Sequence, residues 1–105
     1  MMKLLQASAC ALLTLAVTSA GAADAGAVVY KTNCAPCHGV TGNADTPAGK
    51  AFKAASFKSP KVLATSDADL LAITRKGKDS MPAWKGKLND DQLKSVIEYI
   101  HTLQK

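Results

Sequence analysis

Cys34 and Cys37 stand three positions apart, and His38 follows the second directly, in the stretch NCAPCHGV of a 105-residue chain. Such a trio supports four chemistries: a disulfide, a thioredoxin-like redox pair, part of a zinc site, or a covalent anchor for haem. A disulfide across so small a loop removes little chain entropy and does little for stability. Cys-x-Pro-Cys resembles thioredoxin-type sites, but those follow a strand in a βαβ setting, and the residues before Cys34 read as helix. A structural zinc site takes four nitrogen or sulfur ligands. Beyond the trio only His101 could contribute, far along the chain.

The haem reading demands least. Two thiols one helical turn apart can each form a thioether to a vinyl group, while the next residue turns its imidazole to the iron. Iron that carries electrons without binding other molecules needs a second axial ligand. The candidates are Met81 and His101. Met81 sits in GKDSMPAW between Gly77 and Pro82, a segment that cannot be helical throughout. An irregular, proline-stiffened loop can present a thioether from the opposite face. Without the CxxCH, Met81 would read as a core gap-filler. His101, beside Thr102 and Gln104 late in the chain, reads as a surface histidine.

The N-terminus supplies context. Met1-Met2-Lys3 is a short positive start, Leu4 to Val17 is predominantly apolar, and small residues follow, with Ala20-Gly21-Ala22 as an A-x-A cleavage site. Residues 1–22 are expected to be a cleaved signal peptide, leaving 23–105 as one domain. The apolar run falls short of the roughly 20 residues that span a bilayer, so stable membrane insertion is not expected. Cys10 lies inside the run and leaves with it, as does Lys3. Twelve basic residues then face eight acidic ones, a formal +4. A domain this small has a modest core and often uses a staple such as a metal or a disulfide.

The elements that must position these residues are helical. Asp24 to Cys37 reads as one helix with Ala25, Val28, Val29 and Thr32 near one face; Gly26 costs it about 1 kcal/mol relative to alanine. Gly39 to Ala48 reads as a loop, with a short helical piece expected around Lys50 to Ala55. Ser66 caps a helix that carries Leu70, Leu71 and Ile73 and stops at Gly77. Asn89 and Gln92 form a capping box, Leu88 and Leu93 a staple, and Leu93, Val96, Ile97, Ile100 and Leu103 recur on one face. No segment alternates as a strand and no repeat is present. The expected fold class is all-α.

A first helix ending in CAPCHG, a loop MPAW and a last helix LNDDQLKSVIEYIHTL, in that order, resemble a small class I cytochrome c of the bacterial or algal periplasmic or lumenal type. The resemblance covers residues 24–105. It implies the cytochrome c fold, three to five helices wrapped around one haem c. It implies Cys34 and Cys37 as thioether anchors and His38 and Met81 as the axial ligands of the iron. The carbonyl of Pro47, nine residues past His38, would accept the proximal histidine's other N–H. Gly26 and Tyr99 would mark the crossing of the first and last helices. Trp84, where close relatives often carry phenylalanine, is expected near the haem edge, and Lys50, Phe52 and Phe57 are candidate lining residues.

The function implied is a periplasmic one-electron carrier, lumenal in a photosynthetic source. The alternative is a haem enzyme or gas-binding module in which Met81 is displaced. Arg75, Lys76, Lys78, Lys85 and Lys87, with Lys50, Lys53, Lys58 and Lys61, could form a positive collar that steers redox proteins with acidic docking faces, such as an oxidase, reductase, dehydrogenase or reaction centre. Two ionised haem propionates would lower the charge towards +2. A monomer is expected, and nucleic acid is not an expected partner.

Overall fold

A computed structural model describes residues 21–105; the expected signal peptide and Cys10 lie almost wholly or wholly outside them. Six helical segments follow one another: α1 Ala22–Asn33, α2 Ala35–His38, α3 Pro47–Ala51, α4 Pro60–Leu63, α5 Asp67–Lys76 and α6 Asp90–Leu103. Among the described residues there is no strand, only two isolated bridges in the 78–88 region. The all-α expectation holds.

Three helices are long and three are single turns. The short ones share a recipe: α3 and α4 each open on a proline behind a capping hydroxyl, Thr46 or Ser59. Proline suits the first helical position because its missing N–H has no partner there. This places α3 three residues earlier than the expected Lys50–Ala55 piece and shortens the preceding loop. The expected Asp24–Cys37 helix is likewise divided. Its backbone changes at Cys34, which closes α1 and opens α2 with φ −110° and ψ −42°.

The core is the crossing of α1 with α6. Leu93, Val96, Ile97 and Ile100 are buried along one stripe of α6, as its spacing requires. Burying each contributes about 1.5–3 kcal/mol relative to leaving it exposed. Asn89 and Gln92 cap this helix reciprocally, at 2.8 and 2.9 Å, which adds about 1 kcal/mol. On α1 the inward face is not the one read from the pattern. Gly26 and Tyr30 are buried, while Val28 is 70% exposed. The reason lies at the crossing: a Cβ on Gly26 would collide with the backbone carbonyl of Ser95. That close approach sets the rotation of α1, and residues 26, 29, 30 and 33 follow it inward. The ring partner of Tyr99 there is Tyr30, at 5.1 Å between centroids.

Candidate haem site

Two adjoining cavities, of about 300 and 90 Å³, lie between the CxxCH turn, the segment 52–57, α5, the 78–84 loop and α6. Cys34, His38, Phe52, Ser80 and Met81 line both. Cys37 and Trp84 line the smaller. Leu70, Ile73, Val96, Ile97 and Ile100 give the larger one apolar walls, with Lys53, Lys61 and Lys78 also on its lining.

The CxxCH turn is held at both ends. His38 N–H donates to Cys34 O at 2.9 Å, and Gly39, at φ +80°, ends the turn. The buried Tyr30 hydroxyl donates to Gly39 O at 2.6 Å, and burial pushes its pKa well above the usual tyrosine value. The Thr46 hydroxyl lies 2.7 Å from Pro36 O and 3.1 Å from Cys37 O, so it donates to the free carbonyls at the end of α2. The same oxygen accepts from Gly49 N at 2.9 Å, which fastens α3 beneath the motif.

His38 Nδ1 lies 2.9 Å from Ala55 O. A carbonyl only accepts, so Nδ1 carries the hydrogen and Nε2 of the neutral ring keeps a free lone pair. Burial lowers the His38 pKa, and the Ala55 bond opposes that in part. Burial also pushes the Cys34 thiol up to about 11. The cleft therefore holds two thiols and an imidazole lone pair, with a thioether on the same lining.

The expected role of Pro47 is corrected here. Its ring heads α3 and lines neither cavity, and the carbonyl that meets His38 belongs to Ala55. After α3 the chain turns through Lys53 at φ +55° and returns under the imidazole. It is held there by Ala54 N to Gly49 O at 2.8 Å and Phe57 N to Gly42 O at 2.9 Å. Of the three candidate lining residues, Phe52 and Phe57 line the cleft and Lys50 does not. Ala55 acts through its backbone, which no side-chain pattern could have marked.

Met81 is presented by a tight turn. Lys78 and Met81 exchange both backbone hydrogen bonds, at 3.1 and 2.8 Å, with Asp79 left-handed at φ +52°. Trp84 N donates to Thr74 O and Lys85 N to Arg75 O, at 3.0 and 3.2 Å, which fastens the loop to the last turn of α5. A Cβ on Gly77 would lie 2.6 Å from Met81 O and 2.9 Å from Ala83 N. His101 is placed elsewhere: both its ring nitrogens are engaged, by Asp67 and Gln104. Among the described residues no group of three or more His, Cys, Asp or Glu is placed to hold a metal ion.

Comparison with known proteins gives the class. Residues 21–100 match the family model for the cbb3-type cytochrome c oxidase subunit III. The chain is 40% identical over 78 residues to cytochrome c6 of Leptolyngbya boryana, covering 74% of this chain and 88% of that one. It is 35% identical over 88 residues to the cbb3-type oxidase subunit CcoP of Azospirillum brasilense, covering 82% of this chain but only 30% of that subunit. Among solved structures the KustC0563 c-type cytochrome superposes with a TM-score of 0.70 at 29% identity, covering 76% of this chain and 98% of that one. The chain belongs to the class I c-type cytochromes, within the family of the cbb3 subunit III model, and has their fold. Membership implies a covalently bound haem c with its iron and the role of an electron carrier. The apolar cleft and its donor set of two thiols, one imidazole lone pair and one thioether fit that group.

Proposed function

We propose that the protein is an exported, soluble one-electron carrier with a single haem c. Cys34 and Cys37 are its thioether anchors, and His38 and Met81 the axial ligands. The observation that carries this reading is the His38–Ala55 hydrogen bond, which commits Nδ1 and leaves Nε2 with a lone pair in a cleft also lined by Met81. When bound, haem c supplies a one-electron Fe(III)/Fe(II) couple.

The chain's own residues set the conditions for that couple. The Ala55 carbonyl orients the imidazole and raises its basicity as a ligand. The apolar walls from α5 and α6 keep water out, and a low-dielectric surrounding disfavours the extra positive charge of the ferric state. A neutral thioether from Met81 favours the ferrous state relative to a second imidazole, so the potential lies towards the high end of the haem range. With His38 and Met81 both holding the iron no position would remain for a substrate, which favours an electron carrier over an enzyme. Trp84 lines the smaller cavity, at the edge proposed for electron exchange. Its ring sits under the Lys87 ammonium, 5.4 Å from the centroid.

The similarity to an oxidase subunit and to cytochromes c6 supports a redox protein as partner. Lys53, Lys61 and Lys78 line the larger cavity, so positive charge borders the cleft and favours a partner with an acidic face. Residues 1–22 act as the signal peptide, and the destination is the periplasm, or the lumen in a photosynthetic source. Among the described residues no helix is long and apolar enough to cross a membrane.

A pyridine haemochrome spectrum of the purified protein tests the anchor. The band position of haem with two saturated thioether links, with haem retained after acid–acetone extraction, is expected. Haem that extracts, or no haem at all, would overturn the assignment of Cys34 and Cys37.

A further inference from the structure

Both ring nitrogens of His101 face oxygen. Nε2 lies 2.7 Å from Asp67 Oδ1, and Nδ1 lies 2.8 Å from Gln104 Oε1. The other end of that amide, Gln104 Nε2, donates to the Phe57 carbonyl at 3.1 Å. This last contact sets the amide's orientation: a carbonyl only accepts, so Gln104 turns its NH2 to Phe57 and its oxygen to His101. A neutral imidazole has one N–H. It cannot donate both to the Asp67 carboxylate and to the Gln104 oxygen, whereas the imidazolium satisfies the whole chain at once.

We propose that His101 is a proton-dependent positioning residue: its cation locks Gln104 onto the Phe57 carbonyl and so fixes the Ala55–Phe57 segment against His38. Loss of one proton from His101 to solvent releases the lock. The remaining N–H goes to the stronger acceptor, the Asp67 carboxylate, and Nδ1 then turns a lone pair towards Gln104 Oε1. Two acceptors in contact repel. If the amide rotates to relieve them, its oxygen meets the Phe57 carbonyl and that hydrogen bond is lost instead.

The segment at the far end is the one that matters at the site. Ala55 O holds His38 Nδ1, and the Phe57 ring lies against the imidazole. The charged groups acting on His101 are Asp67, in the first turn of α5, and Glu98, one turn back on α6; both are negative and favour the cation. The segment around Phe57 meets this network through the Phe57 carbonyl, which accepts from the Gln104 amide, and the neighbouring Lys58 does not figure among the charges acting on His101. The Gln104 hydrogen bond is the largest influence raising the His101 pKa above the ordinary histidine value, ahead of Asp67 and against partial burial. The network itself stands without the haem reading; only its consequence at the iron rests on that reading.

The test is a pH titration of the haem-loaded, ferrous, isotope-labelled protein by NMR, from about pH 5 to 9, bracketing the histidine range. The Phe57 carbonyl carbon and the Lys58 amide are expected to shift with the same midpoint as the His101 ring. In Gln104→Ala the ring still titrates, at a lower midpoint, while Phe57 and Lys58 no longer follow it. In His101→Gln the shared transition disappears. Phe57 and Lys58 signals that stay flat through the wild-type His101 transition, or that follow it equally in Gln104→Ala, would overturn the proposal. Haem content is read separately from the haemochrome spectrum, so failure of the cofactor assignment shows as missing haem and not as a flat titration.

Discussion

The ring of Phe57 stacks on the imidazole of His38, with centroids 4.6 Å apart and planes 20° from parallel. Two residues earlier in the same segment, Ala55 fixes Nδ1 of that imidazole through its carbonyl. One short stretch of chain therefore sets the plane, the tautomer and the position of the proposed ligand. Phe57 is only 8% exposed and belongs to the cluster that also contains Tyr30, Val96 and Ile100.

Phe57→Ala is expected to cost about 3–5 kcal/mol, as other large-to-small core changes do. That is a large share of the roughly 5–15 kcal/mol available to a small domain. Phe57→Leu keeps most of the volume and is expected to cost less, while still loosening the imidazole. Denaturant midpoints of the two variants check the ranking, and a Phe57→Ala midpoint equal to wild type would contradict the packing described.

Gly77 governs where Met81 goes. Its φ of 76° and ψ of 168° lie in a region that essentially only glycine occupies, and a Cβ there would press on the Met81 carbonyl. Gly77→Ala is expected to destabilise by about 1–3 kcal/mol, the usual cost of such backbone strain. It is also expected to displace the loop, so that the ferric protein loses part of its thioether-to-iron charge-transfer absorption. A stable Gly77→Ala variant with the full band would show that the loop adapts without moving Met81.

His101 makes stability depend on pH on the alkaline side. Its folded-state pKa is raised above the unfolded value of 6.5, first by Gln104 and then by Asp67. The folded state thus binds the proton more tightly. The contribution is complete below 6.5 and is lost as pH rises through the folded value. Denaturant midpoints are expected to fall across that window in wild type and to fall less in His101→Gln. The side chain is 40% exposed, so added salt is expected to shrink the difference. Identical pH profiles for the two proteins would count against the Asp67–His101–Gln104 network.

The long helices and most of the site were legible in the residues. Caps such as Ser66 and the Asn89–Gln92 pair act through side chains, and the stripe on α6 repeats often enough to fix its inward face. The inward face of α1 is not legible in its pattern because a glycine, which hydrophobic periodicity cannot score, sets the crossing with α6. Unusual side chains are readable too: Cys34, Cys37, His38, Met81 and Trp84 all lie on the lining of the two adjoining cavities. Chemistry carried by backbone is not. The family resemblance points to a loop proline, Pro47, yet the carbonyl in place is that of Ala55, brought there by the turn after α3. The Gln104–Phe57 contact, 47 residues apart in sequence, likewise has no local signature.

The central claim is that Met81 completes the coordination of an electron-carrying iron and leaves it closed to other ligands. The most direct measurement is the visible absorption of the ferric haem-loaded protein, compared between wild type and Met81→Ala. The wild type is expected to show the red thioether-to-iron charge-transfer band and Met81→Ala to lack it. A wild-type spectrum without that band, or a band that survives in Met81→Ala, would contradict the claim.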